Sequence, residues 1–551
     1  MTARARATFP SEADPDGRQL LISLGIFACL AVVVGLASRV PGGPMDLFER
    51  GHWLGPASDM LAGKVSYRDT FPVHGFLSDG GLDWLLFSAL SPNFQISLAA
   101  HFLLGILFQP SLYLVAALST RRPGLAAAAI PLNLAMATEI VADRPVLPLL
   151  GLAAFAWAVG RPERSGRAIL AGCLSGLGFL YALEFGTFVL VGEIAALLFL
   201  RVTSRGASRK PTLALFFALG LAAVLLPFSL GLAAAGALVP FLQTSFIDLP
   251  RHIHAVWGWD FPTPWDLIKA VHAGEPYRVG DLPIGAGIAK RLYLCPLLGG
   301  LGVALAVRLR RSTGPHPAAL VAVSVSCLCS FRYVIARLHL PVGNALTGPL
   351  LLLILVAARE ASLRAAPEHR RRLAAALAAS GVLVALSMNA VSYTTRLAAE
   401  ASRYGSRMTN RAGLVPLASP RGGNALVPAH EALEIAALDA WMRRELPPES
   451  SILDLTNRPA LYFFLDRRNA VRFYQLPLMQ PFQPEVILAL RSKPPAAVLL
   501  QHEKPYDTTD GLPNPAWARQ VWSYVEGAYP RRVQVGETLI ALPALAGRET
   551  R

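Results

Sequence analysis

Charged residues are scarce in this chain of 551 residues. Asp, Glu, Lys and Arg together make up 16% of it, whereas 53% of its residues are hydrophobic and its mean hydropathy is +0.44. A typical soluble domain carries about 25% charged residues, so this shortage excludes a soluble enzyme with an ordinary charged surface. The composition predicts a polytopic membrane protein.

Cysteine is also rare, and no cysteine–histidine spacing typical of a zinc site occurs. Cys29, Cys173, Cys295, Cys327 and Cys329 all fall in apolar runs, where they are predicted to pack as small hydrophobic side chains. The sequence contains no P-loop, GxSxG or HExxH motif and no DNA- or RNA-binding motif. The formal charge of +15 is therefore interpreted as membrane topology and lipid-headgroup contact, not as nucleic-acid binding.

Long apolar runs predict about eleven membrane-spanning helices within residues 1–391, each near the roughly 20 residues needed to cross hydrocarbon. The first is Leu20–Ser38, which lacks a convincing cleavage site and is predicted to be an uncleaved anchor. The others lie near 93–118, 124–141, 145–160, 168–183, 185–200, 212–238, 292–307, 317–331, 342–358 and 373–391. The run 168–200 is too long for one helix, and its turn is predicted at Glu184.

The orientation follows from the distribution of Lys and Arg, which are retained in cytoplasmic loops. The basic connections all fall on one side if eleven helices alternate; they are 119–124, 160–167, 201–210, 308–314 and 359–372. The N-terminus is predicted to share this cytoplasmic side. The segments 39–92 and 239–290 and the chain after residue 391 are then predicted to face outward from the cytoplasmic membrane.

The composition changes after residue 391, where short helical and strand-like patterns alternate. Residues 430–446 and 515–529 have helical spacing, whereas "SSILDL", "AAVLLQ" and a final run over 531–543 are typical of strands. This alternation predicts a small extracytoplasmic α/β domain over residues 426–551. Residues 392–425, which contain "SPRGGN", are predicted to be a linker.

The first outward loop, residues 39–92, concentrates the charge that the apolar runs lack. Acidic groups near a membrane are costly, and loops of this length are usually functional or disordered. The helix-like distribution of Phe48, Trp53 and Met60 predicts an ordered structure over the membrane surface.

This loop resembles bacterial members of the GT-C glycosyltransferase superfamily. The resemblance rests on an acid near the start of the loop, a helix, and "MLAGKVSYRDTFPVHGFL", which matches a small-Gly-Lys-x-x-Tyr-Arg-Asp pattern. Relatives similar to protein mannosyltransferases and aminoarabinose transferases carry Asp-Glu at the catalytic position. The matching stretch here begins at Asp46 and ends at Glu49, so the resemblance implies that one of these two acids is catalytic.

The family implies the partners as well as the fold. A polytopic enzyme of this kind takes a hexose or pentose from a polyprenyl-phosphate carrier in the membrane lipid and gives it to a glycan, lipid or protein. No cofactor is certain, and the acidic residues leave a divalent metal open because carboxylates serve equally as base and as ligand.

The chemistry of this transfer indicates which residue types to look for. A base must take the acceptor's proton, and cations must hold the leaving phosphate. The candidate bases are Asp46, Glu49 and Asp143. The candidate phosphate ligands are the outward cations Arg144, Lys290, Arg291, Arg332, Arg337 and His339. Residues predicted to bind the acceptor or order the loop are Tyr67, Arg68, Asp69 and His74, with Arg68 and Asp69 as an ion pair.

Other functions are consistent with the same composition. A transporter or flippase for lipid-linked saccharides also needs many helices, although such proteins usually have internal repeats that this sequence lacks. A ligase that moves a whole glycan and a scaffold whose terminal domain binds a partner are further alternatives.

Asp46 is predicted to be the general base, and the structural alternative is that it only caps the following helix.

Overall fold

The computed structural model describes most of the chain. The described residues are 18, 21–26, 45–136, 142–203, 210–257, 277–279, 282–284, 294–310, 316–336, 345–364, 402, 413–502, 507–509 and 512–544. The predicted span 373–391 lies outside them, and so does most of Leu20–Ser38.

Helices form nearly all of the described structure up to residue 364. They are α1 (Leu47–Leu61), α2 (Leu82–Ala89), α3 (Phe94–Ile106), α4 (Phe108–Thr120), α5 (Pro123–Ala126), α6 (Ala129–Met136), α7 (Val146–Gly160), α8 (Ser165–Tyr181), α9 (Leu183–Thr203), α10 (Lys210–Ala234), α11 (Leu238–Gln243), α12 (Leu249–Trp257), α13 (Leu294–Arg308), α14 (His316–Ala336) and α15 (Thr347–Arg364). A short antiparallel pair, β1 (Tyr277–Val279) and β2 (Leu282–Ile284), separates α12 from α13.

Within the described residues, three helical stretches are long and apolar enough to cross a membrane. They are Phe94–Thr120, Leu183–Thr203 and Thr212–Ala234. These coincide with the predicted runs 93–118, 185–200 and 212–238. The mostly helical, membrane-type architecture is therefore confirmed, while the number of about eleven crossings and the orientation stay predictions.

The predicted turn between the two helices of 168–200 is present, but at Ala182 instead of Glu184. Ala182 leaves the helical conformation, with φ −135° and ψ 98°. The N–H of Leu183 donates to the carbonyl of His74 at 2.5 Å, so the outward loop supplies its hydrogen-bond partner. The position of the break depends on this long-range contact, which the local sequence does not reveal.

The last part of the chain forms a mixed α/β domain. Its strands are β3 (Leu414–Pro416), β4 (Leu426–Pro428), β5 (Ser451–Asp454), β6 (Arg468–Asn469), β7 (Ala497–Gln501), β8 (Thr508–Thr509), β9 (Leu512–Pro513), β10 (Arg531–Val535) and β11 (Thr538–Leu542). Its helices are α16 (Ala429–Glu445), α17 (Ala460–Phe464), α18 (Leu476–Met479), α19 (Gln483–Ser492), α20 (Asn514–Trp517) and α21 (Arg519–Ala528). The main sheet has the order β10-β11-β7-β5-β6, in which β5 is parallel to both β6 and β7.

Two sequence-based predictions for this domain need correction. The run 531–543 is not one strand: β10 and β11 pair as a hairpin, and Gly536 in its two-residue turn has φ +56°. Glycine adopts this left-handed conformation without steric cost, which allows the tight turn. The predicted linker 392–425 also overlaps the domain, because β3 pairs with β4.

The outward loop contributes to the hydrophobic cores on both faces of the sheet. Ile452 of β5 lies in one core together with Leu54 and Ala57 of α1. Leu453, the next residue of β5, lies in the other core together with Phe71 and Val73 of the loop. Successive strand residues point to opposite faces, so the loop wraps around the sheet. The loop and the α/β domain therefore form one packed unit.

A buried carboxylate joins the same two parts. Asp59 of α1 accepts a hydrogen bond from Lys64 Nζ at 2.8 Å and bonds from the Tyr474 hydroxyl and the Asn469 N–H. Burial raises the pKa of Asp59, although Lys64 and Tyr474 act in the opposite direction. The carboxylate thus links the loop directly to the α/β domain.

Close packing of α1 against the start of α17 makes Gly51 sensitive to substitution. A Cβ at Gly51 would lie 2.3 Å from Pro459 Cγ and 2.5 Å from the Ala460 nitrogen. We expect Gly51→Ala to destabilise the protein by about 1–3 kcal/mol, as overpacking typically does, and this is measured by thermal unfolding in detergent. The matched control is Gly527→Ala in α21, where a Cβ meets nothing within 4 Å. Unchanged stability of Gly51→Ala would contradict this packing.

Candidate active site at the helix break

Loop residues 73–75 lie against the break between α8 and α9. In addition to the bond between the Leu183 N–H and the His74 carbonyl, Gly75 approaches the end of α8 closely. A Cβ at Gly75 would lie 2.7 Å from the Tyr181 carbonyl oxygen, and Gly75 has φ +149°. Both the conformation and the close approach require glycine here. The loop is therefore held at the point where the helices separate.

A buried histidine joins two carboxylates beside this break. His101 Nε2 lies 3.0 Å from Asp83 Oδ2, and His101 Nδ1 lies 2.9 Å from Asp143 Oδ2. Each residue comes from a different element: Asp83 from α2, His101 from α3, and Asp143 from the turn before α7. An ionised carboxylate can only accept hydrogen bonds, so with both acids ionised both ring nitrogens must donate, and the ring is then an imidazolium.

Two aromatic residues complete the surroundings of this cluster. The Trp53 ring stacks on the His101 ring with centroids 4.4 Å apart and an interplanar angle of 25°. A positive imidazolium is attracted to the face of an indole ring. The Tyr181 hydroxyl donates to Asp143 Oδ2 at 3.3 Å. Helix α1 and the end of α8 therefore both hold the cluster in place.

The two carboxylates differ in their access to ligands. Asp83 is fully buried, and its Oδ1 has no hydrogen-bond partner among the described residues. Asp143 is 20% exposed at its side chain, whereas His101 is 1% exposed. Leaving a buried polar atom unpaired costs about 1–3 kcal/mol, which favours a functional over a purely structural role. Asp143 is thus the most exposed member of the cluster.

A second acid–histidine pair lies in the loop itself. Asp79 Oδ2 accepts hydrogen bonds from the N–H groups of Val73 and, at 2.8 Å, of His74. Its Oδ1 lies 3.1 Å from His74 Nδ1. Burial alone would raise the pKa of Asp79, but His74, the backbone donors and His52 outweigh it and lower the pKa. Asp79 thus stays ionised and fixes the segment that reaches the helix break.

Arg144 supplies positive charge next to these acids. Its N–H donates to Asp143 Oδ1 at 2.9 Å. Its guanidinium interacts electrostatically with Glu184 and with Tyr181. Glu184 is buried at its Oε1 without a hydrogen-bond partner among the described residues. Arg144 therefore places a cation among these acids.

The two acids predicted from the start of the loop lie at the N-terminus of α1. Asp46 is exposed, and its Oδ1 accepts the Glu49 N–H at 2.8 Å, so it caps the helix. Glu49 is exposed in the first turn. The N–H of the neighbouring Met45 donates to Glu431 of the α/β domain at 2.8 Å. The capping contact is confirmed, and catalysis by Asp46 or Glu49 stays a prediction.

Two of the other predicted loop residues line a separate cavity of about 220 Å³. Tyr67 and Arg68 line it, together with Arg472 of the α/β domain. Asp69 forms the predicted ion pair with Arg68 at 2.8 Å and also accepts the Val65 N–H at 2.9 Å. These contacts order the turn after α1.

Of the remaining predicted phosphate ligands, only Arg332 can be placed. It is exposed near the end of α14. Those outside the described residues are Lys290, Arg291, Arg337 and His339.

The sequence-based prediction included Asp143, Arg144 and His74 but missed His101 and Asp83. His101 is the only histidine in the apolar run 93–118. An ionisable residue inside a predicted membrane helix indicates a functional site by default. The sequence therefore contained a signal for His101. Asp83 gave no comparable signal because it lies in the charged loop.

Comparison with known proteins adds little to this geometry. No protein-family model and no curated protein matches the sequence. The chain is similar to the crystal structure of ArnT from Cupriavidus metallidurans bound to undecaprenyl phosphate, with a TM-score of 0.48 and 12% identity over 95% of this chain and 98% of that chain. It is also similar to the crystal structure of the Archaeoglobus fulgidus oligosaccharyltransferase in complex with Zn and sulfate. The TM-score is 0.40, and the identity is 12% over 92% of this chain and 71% of that chain.

Proposed function

We propose that this chain is a membrane glycosyltransferase that moves a sugar from a polyprenyl-phosphate donor to an acceptor hydroxyl or amine. The observation that carries the proposal is the cluster of Asp83, His101 and Asp143 at the helix break. The GT-C resemblance of the loop supports it, because the matching segment ends in the residues that contact the break. We place the reaction on the outer face of the cytoplasmic membrane, on the charge bias of the loops.

In this proposal Asp143 is the general base. As the acceptor oxygen or nitrogen bonds to the sugar's anomeric carbon, the bond from that carbon to the phosphate oxygen breaks. The acceptor's proton passes to Asp143, and the electron pair leaves with the polyprenyl phosphate. Phosphate is already a good leaving group, so one carboxylate suffices, whereas glycoside hydrolysis commonly uses two.

The neighbours of Asp143 fit this role. His101 and Tyr181 both bond to Oδ2, and the Arg144 N–H bonds to Oδ1, so the carboxylate is held in one orientation. Positioning of this kind lowers the entropic cost of bringing base and acceptor together. The Arg144 side chain is the described cation best placed to stabilise the departing phosphate.

The cavity beside Tyr67 and Arg68 is the proposed place for the acceptor. It opens between the loop, α11 and the α/β domain, and Gln243 and Thr244 add polar groups to its lining. Tyr67 also interacts electrostatically with Asp79, which connects the cavity to the loop segment at the helix break.

The decisive experiment supplies purified protein with a panel of radiolabelled polyprenyl-phosphate sugars and with lipid, glycan and peptide acceptors. We expect transfer from at least one donor, with label appearing on the acceptor and free polyprenyl phosphate released. A parallel reaction with EDTA decides whether a divalent metal takes part. Folded protein that transfers from no donor but moves lipid-linked sugar across vesicles would instead establish a transporter.

A further inference from the structure

Three potential metal ligands meet in the α/β domain. Glu434 lies on α16, His502 follows β7, and Glu537 lies in the β10–β11 turn. His502 Nε2 is 2.9 Å from Glu434 Oε2 and 3.4 Å from Glu537 Oε2, and one ligand atom from each residue lies within 4.8 Å of the others. Tetrahedral zinc with bonds of about 2.0–2.1 Å separates its ligand atoms by about 3.3 Å. The two distances from His502 Nε2, 2.9 and 3.4 Å, are close to that value.

The surrounding hydrogen bonds orient these atoms. Glu434 Oε1 is held by Arg458 Nη1 at 2.8 Å and by the Thr538 hydroxyl at 2.6 Å. Its other oxygen, Oε2, therefore faces His502. Arg458 and Thr538 thus fix the carboxylate through Oε1. They leave Oε2 available on the side of the His502 imidazole.

Asp507 lies beside the histidine on the side of its other ring nitrogen. The backbone N–H of His502 donates to Asp507 Oδ2 at 2.7 Å, and Asp507 Oδ1 lies 3.9 Å from His502 Nδ1. Metal-binding histidines usually have a carboxylate, a carbonyl or water on this side.

Solvent exposure of the side chains increases from Glu434 through His502 to Glu537. The exposed fraction of the side chain is 8% for Glu434, 21% for His502 and 66% for Glu537. The two inner ligands are thus fixed by the fold, and the outer ligand leaves room for an ion to enter and for water to complete the coordination.

We propose that Glu434, His502 and Glu537 bind one divalent transition-metal ion of the zinc class. Imidazole nitrogen with carboxylate oxygens is a donor set that suits such ions better than magnesium or calcium, which prefer oxygen alone. The ion ties α16, β7 and the hairpin together, and this role is independent of sugar transfer. The alternative is a metal-free imidazolium that bridges the two carboxylates.

The test uses untagged full-length protein in detergent, stripped with EDTA, titrated with ZnCl₂ by calorimetry and followed by thermal unfolding. We expect one zinc ion per chain, a higher Tm with zinc, and no comparable effect of MgCl₂. Glu537→Gln should weaken zinc binding at least tenfold while the protein remains folded, because Glu537 is largely exposed. Glu526→Gln, at an exposed site on α21, is the matched control and should bind like the wild type.

Two results would overturn the proposal. One is the absence of zinc binding to the stripped wild-type protein at millimolar ZnCl₂. The other is binding that is the same in the wild type, Glu537→Gln and His502→Gln, which would locate the ion elsewhere. Transfer activity is not part of the readout, so failure here leaves the proposed function intact.

Discussion

Replacing Asp143 by asparagine is expected to lower the rate of sugar transfer by about 10²–10⁴-fold, the range typical of losing a general base. Asparagine is close in size to aspartate and keeps an oxygen that can accept the Arg144 N–H, but its amide cannot take the acceptor's proton. The measurement is kcat with a saturating donor. Thermal unfolding of the same sample shows whether the protein is folded.

Asp46→Asn is the matched control because it makes the same chemical change at the other candidate acid. Asparagine caps a helix about as well as aspartate, and the structure shows Asp46 accepting the Glu49 N–H. We therefore expect near-normal transfer and stability from this variant. The opposite pattern, with transfer lost in Asp46→Asn and retained in folded Asp143→Asn, would return the catalytic role to Asp46.

Ending the chain after residue 412 is expected to abolish donor binding and transfer together. The truncation removes the sheet whose two faces bury Leu54 and Phe71, and it leaves Asp59 and Lys64 without Tyr474 and Asn469. A single large-to-small change in a core costs about 2–5 kcal/mol, and this truncation removes many such contacts. The measurements are size-exclusion chromatography, thermal unfolding and binding of labelled donor.

The control for this truncation ends the chain after residue 544. That cut leaves β11, which ends at Leu542, and the whole five-stranded sheet intact. It should behave like the full chain. A monodisperse 1–412 protein that binds donor normally would mean that the α/β domain is separable from the membrane helices.

Features set by short-range patterns could be predicted from the sequence. The long apolar helices follow from run length, and α16 and β7 from local periodicity. The helix break was placed at Glu184 instead of Ala182 because its stabilising partner is the carbonyl of His74. Contacts between residues far apart in sequence decide such details.

The same distinction between local patterns and long-range contacts applies to the candidate site. Asp143 and Arg144 could be proposed because charged residues at the outer end of an apolar run are conspicuous. The link from Asp143 through His101 to Asp83 could not be predicted from the sequence. It joins three elements whose packing depends on contacts between residues far apart in the chain. Capping of α1 by Asp46 was predicted as the structural alternative and is observed, whereas catalysis by Asp46 stays a prediction.

The wrapping of the outward loop around the sheet has a consequence for biosynthesis. Asp59 and Asn469, which are in contact, are separated by 410 positions in the chain. At roughly 5–20 residues per second, the ribosome needs about 20 s or more to make the second after the first. During this time the loop has no sheet to pack against. Final assembly of the candidate site must therefore follow translation, and a quality-control protease would meet the unfinished loop first.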